Sequence, residues 1–151
     1  MQIRALKNGD LQSISKLVAD VSNMDILPHF CRQGQDEFIS RVIPDLEATM
    51  NPALFKSIVA TELGQIIGFG AIREKNYITH VFVSKNAQGK GVGKALVSNL
   101  VSFADGKQVS LRASINARSF YEGLGFSATE PEGRFNGIRF IPMSMPLDKV
   151  K

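Results

Sequence analysis

The chain has 151 residues, enough for one domain with a core of its own. Hydrophobic residues make up 44% and charged residues 21%, a balance that excludes a disordered chain, and a net charge of +4 suits an anionic ligand without requiring one. One cysteine, Cys31, permits no internal disulfide, and His29 and His80 lack metal-ligand spacing on one element, so no metal site is expected.

Residues 1–10 carry charge and no apolar run, so no signal peptide is read there, and no apolar stretch approaches the roughly 20 residues that cross a bilayer. The expectation is a cytoplasmic protein without membrane association, one domain over residues 1–151. Residues 3–6 read as a strand. Asp10 reads as the N-cap of a helix on which Leu11, Ile14, Leu17, Val18 and Val21 recur at helical spacing. Residues 22–32 are irregular. A second helix is predicted over residues 35–47, with Phe38, Ile39, Val42, Ile43 and Leu46 inward and Pro44 kinking or dividing it.

Three strands follow, over residues 55–61, 66–72 and 77–83, and form an antiparallel meander. Gly64 turns the first hairpin, and Gly68 and Gly70 mark a bulge or a close approach. Val92, Ala95, Leu96, Leu100, Val101 and Phe103 describe a helix. Residues 109–113 are a strand and residues 117–124 a short helix that stops at Gly125. Residues 133–137 read as a hairpin turn before a last strand over residues 138–145. This order predicts a mixed α/β domain with a mostly antiparallel sheet.

Between the third strand and the next helix lies Gln88-Gly89-Lys90-Gly91-Val92-Gly93-Lys94. Glycines let successive N–H groups point inward together, the helix N-terminus adds partial positive charge, and Lys90 and Lys94 add full charges. The chemistry suggested is phosphate or pyrophosphate binding. A P-loop is excluded, because Gly93-Lys94 is followed by Ala95 and preceded five back by Gln88. A dinucleotide fingerprint is excluded, because the spacing is G-x-G-x-G.

What remains is Gln-x-x-Gly-x-Gly, and it resembles the acetyl-CoA-binding loop of the GNAT acetyltransferases. About 25 residues downstream, Asn116-Ala117-Arg118-Ser119-Phe120-Tyr121-Glu122-Gly123-Leu124-Gly125-Phe126 looks like that family's second segment, in the family's order and spacing. The resemblance implies a sheet splayed between strands four and five to admit the pantetheine arm, with helices on its flanks. Val81 and Val83 would pair with the arm like a strand edge and offer an N–H to the thioester carbonyl. Gln88, Gly89, Lys90, Gly91, Val92, Gly93 and Lys94 would hold the pyrophosphate. Asn116 would contact the arm and Ser119 the adenine or phosphate end. Tyr121 matches the tyrosine that protonates the leaving thiolate; its alternative role is packing against the sheet.

The sequence departs from the family at the general base, since Tyr77 stands where some members carry a glutamate. His80 is the candidate substitute, against strand parity, which sets Ile78, His80 and Phe82 on one face and Tyr77, Thr79, Val81 and Val83 on the other. Glu74 is a second candidate, and water a third route for the proton. The acceptor site is expected from residues 21–41. There Asp25 or Asp36 would attract an ammonium, Phe30 would stack on it and His29 would lie nearby; the alternative is a solvated loop.

The activity implied is acetyl transfer from acetyl-CoA to the amine of a small molecule or a peptide, by a monomer or homodimer. A non-catalytic acyl-CoA-binding module is the alternative. Nucleic-acid binding is not expected, because the positive residues are scattered outside the glycine loop.

Overall fold

A computed structural model describes residues 1–147, apart from the side chain of Ile43. The expected inward position of Ile43 therefore lies outside the described residues. In chain order the elements are β1 (Gln2–Ala5), α1 (Leu11–Val21), α2 (Arg32–Ala48), β2 (Phe55–Glu62), β3 (Gln65–Arg73), β4 (Tyr77–Val83), α3 (Val92–Ser102), β5 (Gln108–Ala113), α4 (Arg118–Gly123), β6 (Ser127–Ala128), β7 (Gly133–Phe135) and β8 (Ile138–Pro146). The strands lie in the order β1-β2-β3-β4-β5-β8-β6, with β7 paired to β8. Every pairing is antiparallel except β4 with β5. This is the splayed, helix-flanked mixed α/β sheet that the resemblance implied.

The alternation of β2 and β3 feeds two cores. On one face Val92, Leu96 and Leu100 of α3 bury Ile58, Ala60, Ile72 and Ile78. On the other, Ile14, Leu17 and Val18 of α1 and Leu46 of α2 bury Val59, Phe69 and Ala71. Gly68 and Gly70 are explained by the first core. A Cβ on Gly68 would lie 3.0 Å from a Leu96 methyl, and one on Gly70 3.0 Å from a Leu100 methyl, so their absence lets α3 lie close on the sheet. The pairing of β2 with β3 is also irregular beside Gly68.

Several local expectations are corrected. The second helix begins at Arg32 and runs unbroken past Pro44, which is exposed. Ile39 is 58% exposed: the inward stripe follows Phe38, Val42 and Leu46 at four-residue steps, and Ile39 lies about 60° round the helix from its middle residue, Val42. Asp10 stands at the N-cap of α1 as expected, but its side chain makes no capping hydrogen bond to that helix. Its carboxylate accepts the Lys7 N–H at 2.8 Å and the Arg4 guanidinium at 2.8 and 3.1 Å, tying β1 to the turn before the helix. Residues 133–135 are strand, and the turn is Asn136-Gly137, both at positive φ, the conformation of a tight two-residue hairpin. Among the described residues no helix is long and apolar enough to cross a membrane.

Candidate functional site

β4 and β5 pair at only two rungs, Tyr77 with Ser110 and Ile78 with Leu111. Beyond them the strands part. β4 bends at the same point: its pairing with β3 passes from Ile72–Ile78 to Ala71–His80 and leaves Thr79 as a bulge. The bulge reverses the alternation expected from sequence. Ile78, Val81 and Val83 all face the α3 core, whereas Phe82 enters the opposite core and the His80 ring lies 5.4 Å from that of Phe69. Ser84 donates its N–H back to Ile67 of β3. By alternation Val81 and Val83 turn their backbone groups into the gap. The Val83 carbonyl there accepts from the Gln88 side chain at 3.0 Å.

A cavity of about 560 Å³ fills the gap. At one end Val81, Val83, Gln88, Gly89 and Gly93 face Ala113, Asn116 and Tyr121 across it. Gly89 and Gly91 hold φ of +78° and +86°, with open space where a side chain would be; conformation, not crowding, requires glycine. Gly93 is glycine for space, since a Cβ would lie 3.0 Å from the Phe120 ring. Lys90, Gly91, Lys94 and Ser119 are exposed and outside the cavity lining. Val92 buries its side chain in the core, which leaves only its backbone to a ligand. A free strand edge, open glycine positions at the start of α3 and two exposed lysines fit a pantetheine arm followed by a pyrophosphate.

Tyr121 borders the cavity and is otherwise buried, edge-on to Phe120 and Phe126. Burial pushes its phenol well above the ordinary value, so it stays protonated at neutral pH. His80 also borders the cavity, and burial pushes its imidazole down to about 4. Its Nδ1 lies 2.8 Å from the Thr79 hydroxyl, which itself donates to the Ala71 carbonyl at 3.4 Å. When the hydroxyl proton points at Ala71, Nδ1–H donates to Oγ1 and Nε2 keeps the lone pair, the tautomer a proton acceptor at Nε2 requires. Behind β4 a smaller cavity of about 120 Å³ joins His80 to Asp45 of α2, whose carboxyl burial pushes up against the pull of Arg41.

The other end of the cavity differs from the expectation for residues 21–41. Phe30 lines it. Asp25 lines the cavity nearer its first end, where its carboxylate accepts from Lys85 at 2.8 Å and from Gln88 at 3.3 Å, beside the glycine loop. Burial raises the Asp25 carboxyl, and these two hydrogen bonds with the Lys85 charge outweigh it and hold the group below the usual range. His29 is exposed outside the cavity, and its carbonyl accepts from Arg139 at 3.3 Å. Asp36 and Glu74 are exposed, outside the lining and beside Arg32 and Arg73. Sequence reasoning missed Phe38 and Arg41 of α2, Arg112 of β5, and Phe135, Ile138, Arg139 and Phe140 of the β7–β8 hairpin, all of which line this end. The one available signal was Arg112, polar between the inward Leu111 and Ala113. The hairpin is carried there by a backbone contact, in which a Cβ on Gly34 would lie 2.2 Å from the Gly137 carbonyl oxygen.

The family model of the acetyltransferase (GNAT) domain matches residues 26–147, and the chain belongs to that family. The family's acyl donor is acetyl-CoA, and acetyl transfer is its chemistry. Among solved structures, the chain is similar to a GCN5-related N-acetyltransferase from Rhodopseudomonas palustris, with a TM-score of 0.79 and 21% identity over 97% of this chain and 95% of that one. A PaiA N-acetyltransferase from Thermoplasma acidophilum in complex with coenzyme A gives 0.71 and 13%, over 97% and 98%. An aminoglycoside 6'-N-acetyltransferase complexed with coenzyme A gives 0.71 and 14%, over the whole of both chains. No curated protein matches in sequence.

Proposed function

We propose that the protein transfers an acetyl group from acetyl-CoA to the primary amine of a small molecule or peptide, the amine attacking the thioester directly while both are bound. The C–N bond forms as the C–S bond breaks. Val81 offers its N–H to the oxygen on which charge develops. Tyr121 gives its phenolic proton to the leaving sulfur, and a buried, protonated phenol suits that task. His80 takes the proton that the attacking nitrogen loses, at Nε2, and passes it to water, because its half-buried ring holds a proton weakly. Asn116 and the loop from Gln88 to Lys94 position the donor, with the backbone of Val92 and the charges of Lys90 and Lys94 directed at its phosphates and Ser119 toward its adenine end.

The observation that carries this reading is the parting of β4 and β5 after two rungs, which leaves the Val81 backbone free beside Tyr121. Acetyl-CoA at 100 times its dissociation constant is expected to add about 2.7 kcal/mol of stability, seen as a rise in melting temperature. Amines are then expected to release CoA thiol. Tyr121→Phe should retain most of the stabilisation and lower the release rate by about 100-fold. Stabilisation with no thiol release from any amine would leave an acyl-CoA-binding module. A folded protein that acetyl-CoA does not stabilise would overturn the proposal.

A further inference from the structure

Four charged side chains border the large cavity, and three of them are arginines: Arg41, Arg112 and Arg139, against Asp25. Asp25 is held by Lys85, so no carboxylate bordering the cavity, among the described residues, is left to receive a cation. Two of the arginines are engaged as well. Arg139 makes a two-pronged contact with Glu132 at 2.7 and 3.0 Å, and Arg41 bonds Glu37 of its own helix. Arg112 has no carboxylate partner among the described residues. Its guanidinium lies 4.4 Å over the ring of Phe140, a stacking that occupies its face and leaves its N–H edges open.

The position of Arg112 gives this charge its meaning. Leu111 makes the last rung with β4, so Arg112 is the first residue on the β5 side of the gap, across from Thr79 and His80. Its charge is felt across the fork by the Tyr77 phenol of β4, so an anion bound to it lies where the two strands divide. Phe30, Phe38, Phe135 and Ile138 line the same cavity and give it an apolar share of wall.

We infer that the acceptor is an amine with a carboxylate close to the reacting nitrogen and an apolar or aromatic body, an amino-acid-like compound, and that Arg112 binds the carboxylate. The inference rests on the acetyl-transfer reading above and deepens it. A planar guanidinium takes a carboxylate through two parallel N–H bonds, which fixes the amine's orientation as well as its affinity. A polyamine or a lysine-rich peptide would meet a cationic wall with no acid to receive it.

The test is thiol release from L-phenylalanine, L-phenylalaninamide, phenethylamine and spermidine. L-Phenylalanine is expected to exceed its amide in kcat/KM by on the order of 10- to 100-fold, the range of a hydrogen-bonded charge, with spermidine the poorest. Arg112→Gln should collapse the acid-to-amide ratio to near unity, and Arg112→Lys should restore part of it; a melting temperature that still rises with acetyl-CoA shows that each variant is folded. A preference for the amide or for spermidine, or an Arg112→Gln loss equal for acid and amide, overturns the inference and leaves acetyl transfer standing. Should none of the four be acetylated, N-acetyl-L-phenylalanine and its amide are compared as ligands of the CoA-bound protein. Greater stabilisation by the acid supports the inference, and equal stabilisation overturns it. Absence of stabilisation by acetyl-CoA itself removes both readings together.

Discussion

At one end of the cleft, a single stretch of chain from Val81 on β4 to Gly93 in α3 presents backbone edges, two left-handed glycines and a helix start. At the other, Phe30, Arg112 and Phe140 arrive on three elements distant in sequence and meet only through packing. Recognition by backbone demands a conformation, and a conformation that only glycine adopts leaves a local mark in the sequence. Recognition by side chains demands that separate elements be held together, and what holds them lies elsewhere in the chain. The two ends should therefore fail differently: the donor end through single conformational changes in the loop, the acceptor end through loss of the contact that carries the hairpin to α2.

The sharpest way to break that contrast is Gly91→Glu. It forces a side chain into φ +86° and sets a carboxylate where the donor's phosphates are expected. Acetyl-CoA affinity should fall by about 100-fold, or about 3 kcal/mol, and its stabilising effect should vanish at concentrations that saturate the parent. A variant stabilised as well as the parent would mean that this loop does not hold the donor. Gly34→Ala strikes the other end. Its Cβ would lie 2.2 Å from a backbone oxygen at Gly137, so α2 and the hairpin turn must separate. The expected cost is about 2–3 kcal/mol of stability by urea titration, with a raised KM for the amine and acetyl-CoA stabilisation retained. Equal damage to donor and acceptor binding would deny that the ends are independent.

The same contrast accounts for what could be read in advance. Gln88, Gly89, Gly93, Asn116 and Tyr121 all border the cavity, and all stand in two short segments whose pattern is local. The parity of β4 misled because a bulge at Thr79 requires no particular residue; it is set by how β3 and β4 lie together. Asp25 reads in the sequence as an acid available to an ammonium, and the structure pairs it instead. Its partner Lys85 lies sixty residues on, and nothing at residue 25 announces that the charge is already paired. Arg112 stands between the buried Leu111 and Ala113 of an alternating strand, and it becomes a cavity residue because β4 has left its side. Ile39 shows the same limit in a helix: apolar composition does not say which of two adjacent residues the sheet will cover.

His80 lies where the two ends meet, and its titration tests whether the cleft keeps that seam dry. Burial takes its pKa from 6.5 to about 4. Above pH 6.5 the imidazole is neutral whether the chain is folded or unfolded, and it contributes no pH dependence. Between 6.5 and 4 the unfolded chain binds a proton that the folded chain refuses, so stability falls as the pH falls, and below 4 the loss is complete. At about 1.4 kcal/mol per unit, the drop from neutral pH to pH 5 is about 2 kcal/mol. Asp10, Asp25 and Glu132 are held below their ordinary range and also lose stability in acid, but their losses are common to parent and variant. Asp45, which shares the smaller cavity, stays in both. Urea titrations at pH 7 and pH 5 should therefore show His80→Gln losing about 2 kcal/mol less than the parent across the interval, whatever its stability at pH 7. Equal losses would place His80 in contact with water along its whole edge. Its ring would then be an ordinary base reached by solvent, and the proton of the attacking amine would need no help from the bulge at Thr79 to leave.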